Sequence, residues 1–350
     1  AKGKTPMKLR IIGLAGSGKT TVFEALTREF AGPAAKNETR IGTIHVPDER
    51  IEGLSKMYRP KKTIYTQVEY LLSGKAEQKK QGDADAALLR GARDVDALIH
   101  VLRNHSAFGV EAPDPETDFL NMDQELMLRD LAVVEKRLER LALDAKKGKT
   151  VDKEEKRLLE ESKTALEREM PLRRYPEIAD SPLLKGYALL SAKPVLVLFN
   201  NTDEDENLPA LSDTMSRETC MVIRGKLEHE LAQMGEEEAA ELLAEFNIAA
   251  SATDRVIRKS YEILGLISFF TVGEDEVRAW TIPHHTTALD AAEVIHSDIK
   301  KGFIRAEVIS YNDLIAAGSM AAAKKQATLR LEGKTYIVSD GDIINFRFNV

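Results

Sequence analysis

The sequence predicts an α/β protein: a mostly parallel sheet covered by helices, interrupted by an antiparallel helical hairpin and followed by a small α+β domain. Three observations lead there. Short runs at 9–12, 97–102 and 195–199 are apolar on both faces and alternate with helical stretches, as buried parallel strands do. A long segment dense in Glu, Lys, Arg and Leu separates the last two of these runs. Beyond Val256 the pattern changes to the alternation of half-buried strands.

The elements follow in order. The strand at 9–12 leads into the glycine-rich stretch Gly13-Leu14-Ala15-Gly16-Ser17-Gly18-Lys19-Thr20, and the spacing of Val22, Leu26 and Phe30 predicts a helix over 20–30. Residues 41–46 and 64–72, β-branched or aromatic-rich, are the next strands, before those at 97–102 and 195–199. Within 121–170, Met127, Leu131, Val134, Leu138, Leu141 and Ala145 step by four and three along one helix seam. Lys146-Lys147-Gly148-Lys149 supplies a turn, and Leu159, Ser162, Leu166 and Met170 form a second seam stopped by Pro171. So long an insertion exceeds the needs of an ordinary crossover. Strands at 277–282, 303–310 and 335–348, a short helix at 288–296 and a hairpin turn at Asp340-Gly341-Asp342 complete the chain. The expected domains are 7–120 with 190–266, the inserted arm 121–189, and a C-terminal domain 267–350.

Bulk properties narrow the function class. A net charge of −7 argues against broad coating of nucleic acid, and no DNA partner is expected. Lys61, Lys62, Lys79, Lys80, Arg90 and Arg93 are a candidate basic patch for RNA, or simply a solvated face. No run is long and apolar enough for a membrane span, and the first residues lack the apolar centre of a secretory signal. A single cysteine, Cys220, leaves no internal disulfide framework and fits a reducing compartment, so the expected location is the cytoplasm. His284, His285 and His296 match no zinc spacing. Trp280 is expected in the core of a strand and Cys220 as a buried thiol.

The chemistry sits in the glycine-rich stretch. Its first glycine follows a strand and Lys19-Thr20 open a helix, the context that makes it a P-loop. Glycines let backbone N–H groups turn around phosphates, and the helix N-terminus adds partial positive charge. Gly13, Leu14, Ala15, Gly16, Ser17, Gly18, Lys19, Thr20 and Thr21 are the candidate nucleotide-binding residues. Lys19 would reach the β- and γ-phosphates as the candidate catalytic group, and Thr20 is the candidate Mg²⁺ ligand. After the strand at 195–199 comes Asn200-Asn201-Thr202-Asp203, spaced like the Asn-Lys-x-Asp base-recognition motif with Asn201 in place of lysine. Asn200 would hold the loops around the base, and Asp203 would accept hydrogen bonds from a guanine edge. The Asp-x-x-Gly expected after the third strand is missing: the chain has Glu69-Tyr70-Leu71-Leu72-Ser73-Gly74, with Asp83 and Asp85 as distant substitutes. Thr39 and Thr43 are both candidates for the switch I threonine.

These residues resemble the Obg-like ATPases of the YchF type. The resemblance is strongest in Val277-Arg278-Ala279-Trp280-Thr281, in Ala291-Ala292-Glu293-Val294-Ile295-His296-Ser297-Asp298, in Lys301-Gly302-Phe303-Ile304-Arg305-Ala306, and from Leu331 to the closing Phe346-Arg347-Phe348-Asn349-Val350, which look like the family's TGS domain. Val46-Pro47-Asp48-Glu49-Arg50 and Val256-Ile257-Arg258 resemble further family blocks. The resemblance implies a G domain interrupted by a coiled-coil arm and closed by a β-grasp TGS domain. It also implies slow hydrolysis of ATP, often of GTP, with Mg²⁺, and association with the ribosome or its RNA through the arm and TGS domain. The family carries Glu where this chain has Asp203, and an Asp-Ile-Ala-Gly-Leu block that is absent here.

Two other readings stand beside a slow switch: a nucleotide-binding scaffold without turnover, and a P-loop kinase. The insertion offers a coiled-coil seam where a kinase needs an arginine-bearing lid, which weighs against the latter.

Overall fold

A computed structural model describes residues 7–30, 38–74, 91–106, 109, 111–245, 248 and 251–349. The chain divides into two units, Met7–Thr43 with Glu69–Val256, and Ile44–Val68 with Ile257–Val350.

The first unit is built on a sheet of β1 (Met7–Ile12), β2 (Arg40–His45), β4 (Gln67–Leu72), β5 (Ala97–Arg103), β6 (Val195–Asn200) and β7 (Thr219–Ile223), in the order β2-β4-β1-β5-β6-β7. β1, β5, β6 and β7 pair in parallel, Ile12 opposite His100 and Leu102 opposite Phe199. Every residue of β6 is buried, the signature of a strand covered on both faces. Ile12, Leu98, Leu102, Phe119, Val197 and Phe199 are central to its core.

The arm leaves this sheet as α3 (Pro115–Lys146) and returns as α4 (Lys153–Glu167), with the short α5 (Pro176–Ala179) following. Asp114 caps α3 by accepting from Thr117 N–H (3.1 Å), with Pro115 set in its first turn, and Asp152 caps α4 from Glu154 and Glu155 N–H. Val134, Leu141, Leu158, Leu159, Ala165 and Leu166 fill the seam, and Arg137 forks onto Glu155 across it. Ala145, expected in the seam, is exposed. The root is polar and buried. Asp130 accepts from Leu190 N–H (2.8 Å), Ser191 N–H (2.7 Å) and Ser191 Oγ (2.7 Å), while Arg173 pairs with Asp123 and Glu218.

The second unit has its own six-stranded sheet. It comprises β3 (Lys62–Ile64), β8 (Leu266–Val272), β9 (Glu276–Pro283), β10 (Phe303–Ser310), β11 (Arg330–Glu332) and β12 (Asp342–Phe348), in the order β11-β10-β12-β8-β9-β3. One face buries Phe269, Ile282, Ala291 and Phe346 with a helix at Ala288–Ile295. The other buries Phe270, Val277 and Ile343 against Ile51 and Leu54 of α2 (Glu49–Tyr58).

Several expectations change. The strand expected over 64–72 is two strands in different sheets: β3 pairs in parallel with β9, Thr63 opposite Val277, and β4 joins the first sheet. Tyr65 and Thr66 form the break. Of the strand expected over 335–348 only β12 is formed. Gly341, at φ +87°, does sit in a turn, but β12 pairs with β10 and β8, so no hairpin is made there. Short helices at Ser297–Lys301, Tyr311–Ala317 and Met320–Lys325 have too few residues to register a period. Asp83, Asp85, Lys79, Lys80 and Arg90 lie outside the described residues.

Candidate functional site

The loop between β1 and α1 (Lys19–Thr27) is shaped by three glycines with positive φ, Gly13 (+143°), Gly16 (+79°) and Gly18 (+94°). Gly13 has no room for a side chain either, since a Cβ would lie 2.4 Å from the Val101 carbonyl. Gly18 is the N-cap of α1, and unlike α3 and α4 this helix has no side-chain cap and no acidic residue in its first turn. Its positive end is left to whatever enters from outside. Leu14 and Ser17 contribute backbone: Leu14 packs into the core and Ser17 is buried.

Lys19 Nζ donates to the carbonyls of Gly13 (2.7 Å) and Leu14 (2.6 Å), which aims the ammonium back along the loop. Burial lowers its pKa to about 8. Behind it, His100 on β5 is fully buried and stacked on Phe119. Burial first, and then the charges of Lys19 and Arg173, lower the His100 pKa to about 3, so the ring stays neutral.

Asn200, the last residue of β6, ties the loop to the far side of the site. Its Nδ2 donates to the Ser17 carbonyl (3.0 Å) and its Oδ1 accepts from Gly225 N–H (3.0 Å), at the start of α6 (Gly225–Gln233). Both partners are constrained: a Cβ on Gly18 would lie 2.2 Å from Asn200 Nδ2, and one on Gly225 2.6 Å from its Oδ1. Asn201, at the lysine position of the base-recognition pattern, is buried and braces its own loop by donating to the carbonyls of Asp205 and Asn207. Asp203 accepts from Leu227 N–H (3.0 Å), with Lys226 Nζ at 3.5 Å, so its carboxylate already serves the first turn of α6.

A cavity of about 340 Å³ opens at the loop, bounded by Ala15, Gly16, Gly18, Lys19, Thr20 and Thr21. Glu38, Arg40, Leu72 and Ser73 complete its lining. Leu72, the last residue of β4, lines it at the strand end where the aspartate was sought. Neither Thr39 nor Thr43 lines the cavity; the segment presents Glu38 and Arg40, two residues apart on one side of an extended chain. Arg40 is held by Glu24 Oε1 (2.8 Å) over the Phe23 ring, and the other Glu24 oxygen meets His229 Nε2 at 2.9 Å. The hydroxyls of Thr20, Thr21 and Ser73 and the Glu38 carboxylate make an oxygen-only donor set that suits a hard cation such as Mg²⁺. The glycine cradle, uncapped helix end and lysine suit an oligophosphate.

The structure thus brings the Gly13-to-Thr21 stretch and Asn200 together, while Asp203 is turned toward α6. Sequence reasoning missed Glu38, Arg40 and the Glu24 clamp. Only their approach in space marks them, and the one hint is the i, i+2 spacing leading into β2.

The smaller features resolve simply. Trp280 is half-buried, its Nε1 donating to Thr271 Oγ1 (2.9 Å) under the Arg278 guanidinium. Cys220 is half-buried in β7, its thiol pKa pushed up to about 11 by burial and then by Glu218. Among the described residues no group of three or more His, Cys, Asp or Glu could hold a metal, and no helix is long and apolar enough to cross a membrane.

Comparison with known proteins adds a further observation. Residues 266–349 match a family model, YchF-GTPase_C, described as a protein of unknown function (DUF933). The chain is 37% identical over 363 residues to the ribosome-binding ATPase YchF of Bacillus subtilis, covering 97% of this chain and 98% of the relative. It is 35% identical over 362 residues to the protein of the same name from Escherichia coli O157:H7, covering 98% and 99%. A solved structure, the Schizosaccharomyces pombe YchF GTPase, superposes with a TM-score of 0.82 at 28% identity over 99% of both chains.

Proposed function

This chain belongs to the YchF family, and on that premise we propose that it binds a purine nucleoside triphosphate with Mg²⁺ at the Gly13–Thr21 loop, hydrolyses it slowly, and acts as a switch on the ribosome. The observation that carries the reading is the cavity at the loop, with Lys19 at its base and Asn200 joining the loop to α6. The loop amides and the end of α1 would take the phosphate oxygens, Lys19 would exchange its two carbonyl partners for the β- and γ-phosphates, and Asn200 would hold the base-side loop in register. Mg²⁺, held through the Thr20 hydroxyl, would neutralise charge on the β- and γ-oxygens. Ribosome association rests on the relatives' names, with the arm and the TGS-like C-terminal domain as its surfaces. We place the working domains at 7–120 with 190–266, 121–189 and 267–350, and count α2 and β3 with the last. The cytoplasm is its expected site of action.

The test is phosphate release with Mg²⁺ from ATP and from GTP. Lys19→Ala should abolish it, and turnover unchanged by that substitution would overturn the enzyme reading. Leu72 favours a second reading, a scaffold that binds without turnover, because a leucine cannot support the metal or a water. Tight triphosphate binding with no phosphate release from the unmodified protein selects it. Side-by-side affinities decide the base: Asp203 leads us to expect GTP at least as tight as ATP, with Asp203→Glu shifting the balance toward ATP.

A further inference from the structure

We propose that Glu38 supplies the carboxylate that supports Mg²⁺ at this site, in place of the aspartate missing from the end of β4. The inference rests on the nucleotide reading above and deepens it. Leu72 lines the cavity at the β4 position and offers no oxygen. Among the described residues lining the cavity, Glu38 is the one carboxylate. Both arginines nearby are otherwise engaged: Arg40 with Glu24, and Arg10, behind Ser73, with the Ser73 hydroxyl. Glu38 itself has no hydrogen-bond or ion-pair partner among the described residues. A carboxylate without a partner that lines the same cavity as a P-loop threonine suits an outer-shell partner of a hydrated divalent ion, which keeps several waters and recruits few protein oxygens. The extended chain leading into β2 explains the selection, since alternate residues face one side and Thr39 does not line the cavity.

The experiment measures binding of a β,γ-imido triphosphate, as ATP and GTP analogues, over a range of Mg²⁺ concentrations, with Mn²⁺ electron paramagnetic resonance of the complex as a second readout. Glu38→Gln should keep the Mg²⁺-free affinity while raising the Mg²⁺ concentration at half-effect about tenfold, the scale of losing an outer-shell partner. Its Mn²⁺ spectrum should change, and Glu38→Asp should recover most of the effect. An unchanged Mg²⁺ midpoint and Mn²⁺ spectrum in Glu38→Gln overturns the inference while leaving the nucleotide reading intact, and the same holds if Asp83→Asn or Asp85→Asn alone produces the shift. If the unmodified protein binds neither analogue with or without Mg²⁺, the nucleotide reading fails and takes this inference with it.

Discussion

Two ionisable side chains, the half-buried Lys19 and the buried His100, give the site a pH signature. Free Lys19 loses its proton at about pH 8, and on the proposed reading a triphosphate would be held by the charged form. Phosphate oxygens would raise that pKa in the complex, so binding takes up a proton above pH 8. Triphosphate affinity should therefore fall about tenfold between pH 7 and pH 9. Fluorescence titration at the two pH values measures this, and a flat profile would mean that the ammonium does not contact the phosphates. His100 acts on the fold instead. Its folded pKa of about 3 lies below the ordinary 6.5, so the unfolded chain binds the extra proton in between. The stability it contributes is present above pH 6.5 and is lost as pH falls toward 3. Between pH 7 and pH 5 the loss should be about 2 kcal/mol, and His100→Leu should remove that part of the pH dependence in denaturant unfolding.

At the scale of elements, the root of the arm carries most of its polar cost. Arg173 sits between Asp123 of α3 and Glu218, all nearly out of contact with water. Removing Arg173 leaves Asp123 charged and unpaired and Glu218 with Arg174 alone, so Arg173→Met should destabilise the first unit by about 3–5 kcal/mol, measured by thermal or denaturant unfolding. Arg157 on α4 pairs in solvent with Glu154 and Glu161, and its replacement should have little effect. The arm was legible because its signal is local: a seam repeated every three to four residues, with caps at Asp114 and Asp152. The P-loop was legible for the same reason, its glycines standing at fixed offsets from lysine. The partner of β3 was not legible. A three-residue strand carries almost no pattern, and whether it pairs with β9 or continues into β4 depends on contacts remote in sequence. Glu38 was hidden likewise, since Leu72 and Thr20, which line the same cavity, come from β4 and α1. Asp203 is subtler: its spacing matched a base-reading residue, yet local chemistry also suits it to the first turn of α6.

At the scale of the whole molecule, the second unit takes Ile44–Val68 from the middle of what sequence reads as the first domain. The family model begins at 266, yet Ile51 and Leu54 of α2 are fully buried against Phe270, Val277 and Ile343. A fragment of 266–349 should therefore be less stable than the same fragment joined by a flexible linker to 44–68. Each of those two side chains contributes roughly 1.5–3 kcal/mol of burial. Thermal unfolding followed by circular dichroism compares the two, and equal midpoints would show that the C-terminal sheet needs no help.

The same excursion orders events during synthesis. Translation delivers α2 and β3 before most of the first unit, but the strands that cover them only after the entire first unit and its arm have been made. Until β12 leaves the ribosome, Ile51 and Leu54 have no native cover, while residues on either side of them can already close the P-loop sheet. Completion of the second sheet is thus a step of high contact order, and a ribosome that stalls before β12 would hold a nascent chain with a finished nucleotide pocket and an open apolar face.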